Sequence, residues 1–115
     1  MSNNTQQISL TEAIDLTSRY RNLRPANFFI SETFEADAIR ALLAVPGCQY
    51  LRIYLGAKSD DSVVAVLAAA DASEADILPA ASDNVTAEAT TGDGLLLEDG
   101  YRCPEYCPPP SALNS

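Results

Sequence analysis

The chain has 115 residues, 47% of them hydrophobic, with a formal net charge of −9 and no histidine. That length suits one domain, the acidic balance repels phosphate backbones and anionic membrane surfaces, and without histidine the commonest general base and metal ligand are both missing. The charge is divided: through Lys58 six basic residues face five acidic ones, and from Ser59 onward Arg102 alone faces eleven, giving +1 and −10.

Residues 1–7 are polar and are expected to be disordered. They lack the basic and apolar regions of a secretory leader, and no run in the chain reaches the apolar length that crosses a bilayer, so a cytoplasmic location is expected, with Cys48, Cys103 and Cys107 reduced. Ser9-Leu-Thr-Glu12 reads as a capping box that starts a helix, with Ile8 and Ala13 as a weak staple. Leu10, Ala13, Leu16, Thr17, Tyr20 and Leu23 recur at steps of three and four and predict a buried stripe opposite Glu12, Asp15, Arg19 and Asn22. Pro25 ends this helix.

Asn27 to Ser31 reads as extended and apolar, with Phe28 to Ile30 available as an extra strand. Phe34 anchors a second helix from about Glu35 to Ala44, whose inner face is Ile39, Leu42 and Leu43 and whose stop is Pro46-Gly47. From Cys48 to Leu55 the period changes to two: Leu51, Ile53 and Leu55 point to one face, expected to be buried, and Tyr50, Arg52 and Tyr54 to the other. Gly56 to Asp61 is turn-rich, and Ser62 to Ala70 reads as the partner strand of a hairpin, although its alanine run is compatible with a helix. Ile77-Leu78 adds a brief extended piece.

Of the Ile, Leu, Val and Phe residues, twenty-two lie between Ile8 and Leu78 and five beyond, so residues 8–78 form the domain that carries the core. Residues 79–94 are an acidic low-complexity linker that cannot bury enough surface to offset its ordering entropy. Residues 95–115 form a docked Cys/Pro-rich tail, in which Leu95 to Leu97 return to the hairpin edge or to a neighbouring subunit. The last sixteen residues hold two of the three cysteines and four of the seven prolines, a composition that favours a polyproline-like contact segment.

Each cluster able to carry chemistry also has a structural reading. Arg19, Arg21 and Arg24 complement the end of the first helix and offer a basic surface to the acidic C-terminal third. Tyr50, Arg52 and Tyr54 form an aromatic-basic platform of the kind that stacks bases, but the net charge and a single lysine leave nucleic acid an unsuitable partner. The cysteines admit a metal site of Cys48, Cys103 and Cys107, a redox pair, or free thiols that pack the tail down; the last is preferred. Asp60-Asp61 and Glu98-Asp99 are nominal acid–base pairs placed in turns. Pro108-Pro109-Pro110 lacks the two-residue spacing of PxxP ligands.

Pro46-Gly-Cys48 before Leu51-Arg-Ile-Tyr-Leu-Gly56, the strings Ser18-Arg-Tyr-Arg21 and Ser31-Glu-Thr-Phe34, and the ending Arg102-Cys-Pro-x-x-Cys-Pro-Pro-x-Ser-x-Leu-Asn114 resemble a family of small bacterial proteins, chiefly from Bacteroidetes. The resemblance covers most of the chain outside the linker and implies no activity, cofactor or catalytic residue. Leu55 stands where the pattern has an aromatic, and Ala112 where it has proline.

The expected fold is α+β: two N-terminal helices packed on a small antiparallel sheet centred on a β-hairpin, followed by the acidic linker and the tail. The expected function is a non-enzymatic protein-interaction or structural module without a cofactor, which binds a protein partner or a second copy of itself and touches neither nucleic acid nor membrane. Its contact residues are Tyr50, Arg52, Tyr54, Tyr101, Arg102, Tyr106, Pro108 and Pro109. The alternative is a cytoplasmic thiol-redox or metal-responsive protein that uses Cys103, Cys107 and Cys48.

Overall fold

A computed structural model describes residues 6–80 and 94–114. The expected disordered stretch at residues 1–7 and the linker at 79–94 therefore lie mostly outside the described residues. What is described is an α+β protein with two helices and two antiparallel sheets.

Helix α1, Leu10–Leu23, begins at the capping box. The Glu12 amide donates to Ser9 Oγ at 3.0 Å, and the Ser9 amide donates to the Glu12 carboxylate at 3.4 Å. The expected buried stripe needs correction, because α1 buries no residue, and Leu10, Leu16 and Leu23 are 63%, 56% and 75% exposed. The rotation of the helix is set by polar anchors: the Tyr20 hydroxyl donates to Phe29 O at 2.6 Å and Arg24 Nη1 to Phe28 O at 2.7 Å. These bonds turn Ala13, Thr17 and Tyr20 halfway inward and leave the leucines on the flanks.

The stretch after Pro25 was expected to pair from Phe28 to Ile30. Only Ile30 of those three residues bonds to a strand, its amide donating to Cys103 O at 2.6 Å just ahead of strand β1, Ser31–Thr33, while the Phe28 and Phe29 carbonyls accept from Arg24 and Tyr20. The partner of β1 is β6, Tyr101–Cys103, in register Ser31 to Cys103, and the two make a separate two-stranded sheet. The tail is thereby stitched to the N-terminal third.

Helix α2, Ala36–Leu43, is short and buries Leu42 completely. Its end is a tight turn in which Gly47 takes φ +86°, a left-handed conformation that glycine adopts without a Cβ clash. The chain then enters the hairpin of β2, Tyr50–Ala57, and β3, Val63–Ala70, paired from Tyr50–Ala70 to Ala57–Val63. Short strands β4, Asp76–Ile77, and β5, Leu96–Leu97, both add to the other side of β3. Leu96 and Leu97 thus return to the hairpin through β3, which leaves β2 as a sheet edge among the described residues.

The core gathers Leu42, Val45, Ala65, Leu67, Ala69 and Ile77, with Phe29, Phe34, Ile39, Cys48, Leu95 and Leu97 packed against it. Strand β3 is buried along most of its length, and its alanine run is a strand because neighbours occupy both its sides. The core centres on α2 and β3 and includes no residue of β2.

Candidate functional site: an open strand edge and a disulfide-closed tail

The register puts Leu51, Ile53 and Leu55 directly opposite Ala69, Leu67 and Ala65, on the same sheet face as the core. They were expected to be buried there. They are instead 40%, 60% and 70% exposed, because the core assembles over β3 and stops short of the edge strand. The result is an apolar row along an edge that no described strand pairs.

The other face of β2 carries Tyr50, Arg52 and Tyr54, brought together as the alternation requires. Alanines at 68 and 70 on β3 are small enough for Arg52 to reach across the strand to Asp76 on β4, where the Tyr54 hydroxyl also donates. The Tyr54 hydroxyl, and after it the Arg52 guanidinium, hold the Asp76 carboxyl below the usual carboxylate range. The same carboxylate raises the Tyr54 phenol above its ordinary value. A depressed acid supplies stability above its unfolded pKa and loses it as pH falls through the folded value, whereas a raised phenol loses its share as pH rises through the elevated value. Asp76→Asn is therefore expected to flatten the acid limb of the pH–stability curve between the depressed and the ordinary carboxylate pKa. An unaltered acid limb in urea titrations across that range would count against this network. Asp76 carried no motif, and only its place opposite Ala70 reveals it.

On the smaller sheet, Glu32 is the hub. Its side chain is 3% exposed and accepts from Arg102 Nη1 at 3.0 Å, from the Gly100 amide at 2.9 Å and from the Ala65 amide at 3.3 Å. Arg102, expected at a contact surface, spends its charge internally: it pairs with Glu32 and Glu98 and lies 3.8 Å from Asp99. Tyr101 and Tyr106 remain half or more exposed, with rings meeting edge to face at 6.4 Å, and Pro108 and Pro109 are also exposed. A hollow of about 470 Å³ lies among Asp99, Tyr101, Arg102, Pro104, Glu105 and Tyr106.

Cys103 and Cys107 are joined in a disulfide, which corrects the expectation of reduced, packed thiols in the tail. Four positions apart and with Cα atoms 4.5 Å from one another, they are brought within bonding reach by the turn that closes with Tyr106 N–H donating to Arg102 O. Cys48 is free and half-buried against the core. The three-cysteine metal set is thus not assembled, and the described residues hold no group of three His, Cys, Asp or Glu side chains placed for a metal ion.

The remaining candidates have internal partners. Asp60 accepts from the Ser62 hydroxyl and amide in an Asx-type turn, and those bonds lower its pKa. Glu98 pairs with Arg102, and Asp99 lies 3.7 Å from Lys58. Arg19 pairs with Asp15 on the wet face of α1, and Arg21 donates to the Leu113 carbonyl and so holds the end of the tail. No helix among the described residues is long and apolar enough to cross a membrane.

Comparison of the chain with protein-family models, curated proteins and solved structures finds no match.

Proposed function

We propose that this protein is a non-enzymatic interaction module that associates with itself or with a protein partner through the hairpin and the Cys/Pro tail. The observation that carries the reading is the distribution of apolar surface. Among the described residues fourteen large hydrophobic side chains are exposed, whereas the buried core has ten residues, four of them alanine. Scattered apolar residues are normal on a surface, but a continuous row on an open strand edge is the signature of a contact site. A core this small also gives marginal stability, which association raises by mass action.

Point variants of the full chain test the reading better than a truncation at Asp99, which would remove β6 and the Arg102–Glu32 pair together. Ile53→Lys changes the apolar row and Tyr106→Ala the tail, both at exposed positions. Each is expected to reduce capture of the partner or of a second, differently tagged copy. Equal capture by the parent protein and both variants would end the proposal.

The thiol-redox alternative is favoured by one observation, the Cys103–Cys107 disulfide. A permanently closed bridge fits an oxidising compartment, and a cytoplasmic home requires the pair to cycle between dithiol and disulfide. Alkylation of source cells before lysis distinguishes the two: a fraction of reduced Cys103 and Cys107 that changes with growth conditions supports cycling, and a fixed closed bridge excludes it.

A further inference from the structure

We infer that a second copy of the chain adds to the open edge of β2, antiparallel, about a two-fold axis at Ile53, so that two four-stranded sheets become one continuous sheet. This inference rests on the interaction-module reading and narrows the partner to the chain itself.

The direction of the backbone groups carries the first step. Lys58 N–H donates to Ser62 O, so the pair 58 and 62 is a bonded one, and along an antiparallel ladder bonded pairs recur at every second residue. Even-numbered residues of β2 therefore bond to β3. The far edge of β3 agrees, since Val63 N–H goes to Asn27 O and Ala65 N–H to Glu32, both away from β2. Leu51, Ile53 and Leu55 consequently send their amides and carbonyls outward, and no described residue accepts from or donates to them there. The same three residues carry the uncovered side chains. Strand β2 runs for eight residues without proline or lysine, and its one charged side chain, Arg52, is turned to Asp76 of its own sheet, so little on this edge opposes pairing.

Self-complementarity carries the second step. With Ile53 facing Ile53 of the second copy, Leu51 faces Leu55 and Leu55 faces Leu51, and these three bonded pairs supply about six main-chain hydrogen bonds. All three pairs are apolar. On the opposite face, Arg52 lies against the Tyr54 ring of the other copy, where a cation and an aromatic face attract, and Tyr50 lies over Gly56. A Cβ at Gly56 would meet Val64 at an ordinary 3.5 Å, so the chain's own fold does not demand glycine there. A glycine opposite a tyrosine leaves room for the ring. Placing the axis at Arg52 would set two guanidinium groups face to face, which is destabilising, and placing it at Tyr54 would set Leu51 against Ala57.

Sedimentation and thiol cross-linking of the full chain test the inference. The parent protein is expected to sediment as a dimer of the 12.3 kDa chain, and Leu55→Lys, at a 70% exposed position that leaves the core untouched, as a folded monomer. In a Cys48→Ser background, Ile53→Cys is expected to form a covalent dimer on mild oxidation, whereas Leu51→Cys and Leu55→Cys cross-link when mixed and not singly. Cross-linking of all three singly, or of Ile53→Cys with Leu55→Cys in place of the expected pair, overturns the stated register. A monomeric parent protein whose capture of another protein is lost in Leu55→Lys overturns self-pairing but leaves the module reading intact; a monomer whose capture is unchanged in Leu55→Lys, Ile53→Lys and Tyr106→Ala alike overturns both.

Discussion

Replacing Glu32 by alanine is expected to lower the unfolding free energy by about 3 kcal/mol, the low end of the cost of breaking a buried ion pair by removing one partner. The side chain is 3% exposed and accepts three bonds from two segments: Arg102 on β6 and the Gly100 amide just before it, and the Ala65 amide on β3. Removing it strands Arg102 beside Glu98 and Asp99, which are more exposed and so screened, and leaves two amides without acceptors. Gly100 sits against it so tightly that a Cβ there would lie 2.8 Å from Glu32 Cγ. Glu32→Gln keeps the volume but turns one oxygen into a donor facing donors, so an intermediate loss is expected. Urea denaturation gives the magnitude, and hydrogen exchange places it: protection should fall first at residues 100–106. A loss below about 1 kcal/mol, the ordinary range for a surface pair, would refute the hub.

Leu42→Ala is expected to cost about 3 kcal/mol through lost transfer energy and the cavity left behind. Leu42 is the largest fully buried side chain among the described residues, and its neighbours in the core are Val45, Ala65, Leu67, Ala69 and Ile77. Four of the ten buried residues are alanine, so few side chains are able to lean into the gap. For a domain of this size the loss is a large part of the total stability. Leu43→Ala, one position along at 49% exposure, is the internal control and should stay within about 0.5 kcal/mol. Equal urea midpoints for the two variants would show that α2 does not seat the core as described.

Association links these effects to function. If two copies share the β2 edge, every loss in the monomer is partly offset by dimerisation, so the midpoints of both variants should rise with protein concentration. The tail enters the same balance from the other side. It is held by the β1–β6 pairing, the Glu32–Arg102 pair and the Arg21 bond to Leu113 O. Loosening Glu32 therefore loosens the part of the tail that carries Tyr101 and Tyr106, while leaving the β2 edge unchanged.

Local chemistry was legible in the residues themselves. Ser9 and Glu12 name a capping box, Pro25 and Pro46-Gly47 name two stops, and the alternation from Tyr50 to Leu55 names a strand with two faces. Each of these depends on atoms within a few residues, which is why they read correctly without knowledge of the rest of the chain. The α+β class follows from the change of period from 3.6 to 2. What the alternation could not say is which face is covered. Leu51, Ile53 and Leu55 have the pattern of a core face, and whether they are buried depends on how far α2 extends across the sheet.

Long-range partners were decided only by the fold. Glu32 and Arg102 are 70 positions apart, and Asp76 meets Arg52 and Tyr54 across an intervening strand. The Cys103–Cys107 disulfide spans only four positions, but the spacing alone left metal, redox and free-thiol readings open until the turn brought the two together. For α1 the 3.6-residue stripe was real, but its rotation was set by Tyr20 and Arg24 bonding to the Phe29 and Phe28 carbonyls, so the leucines face outward. Periodicity specifies that a face is apolar; only the position of every other element specifies whether anything lies against it.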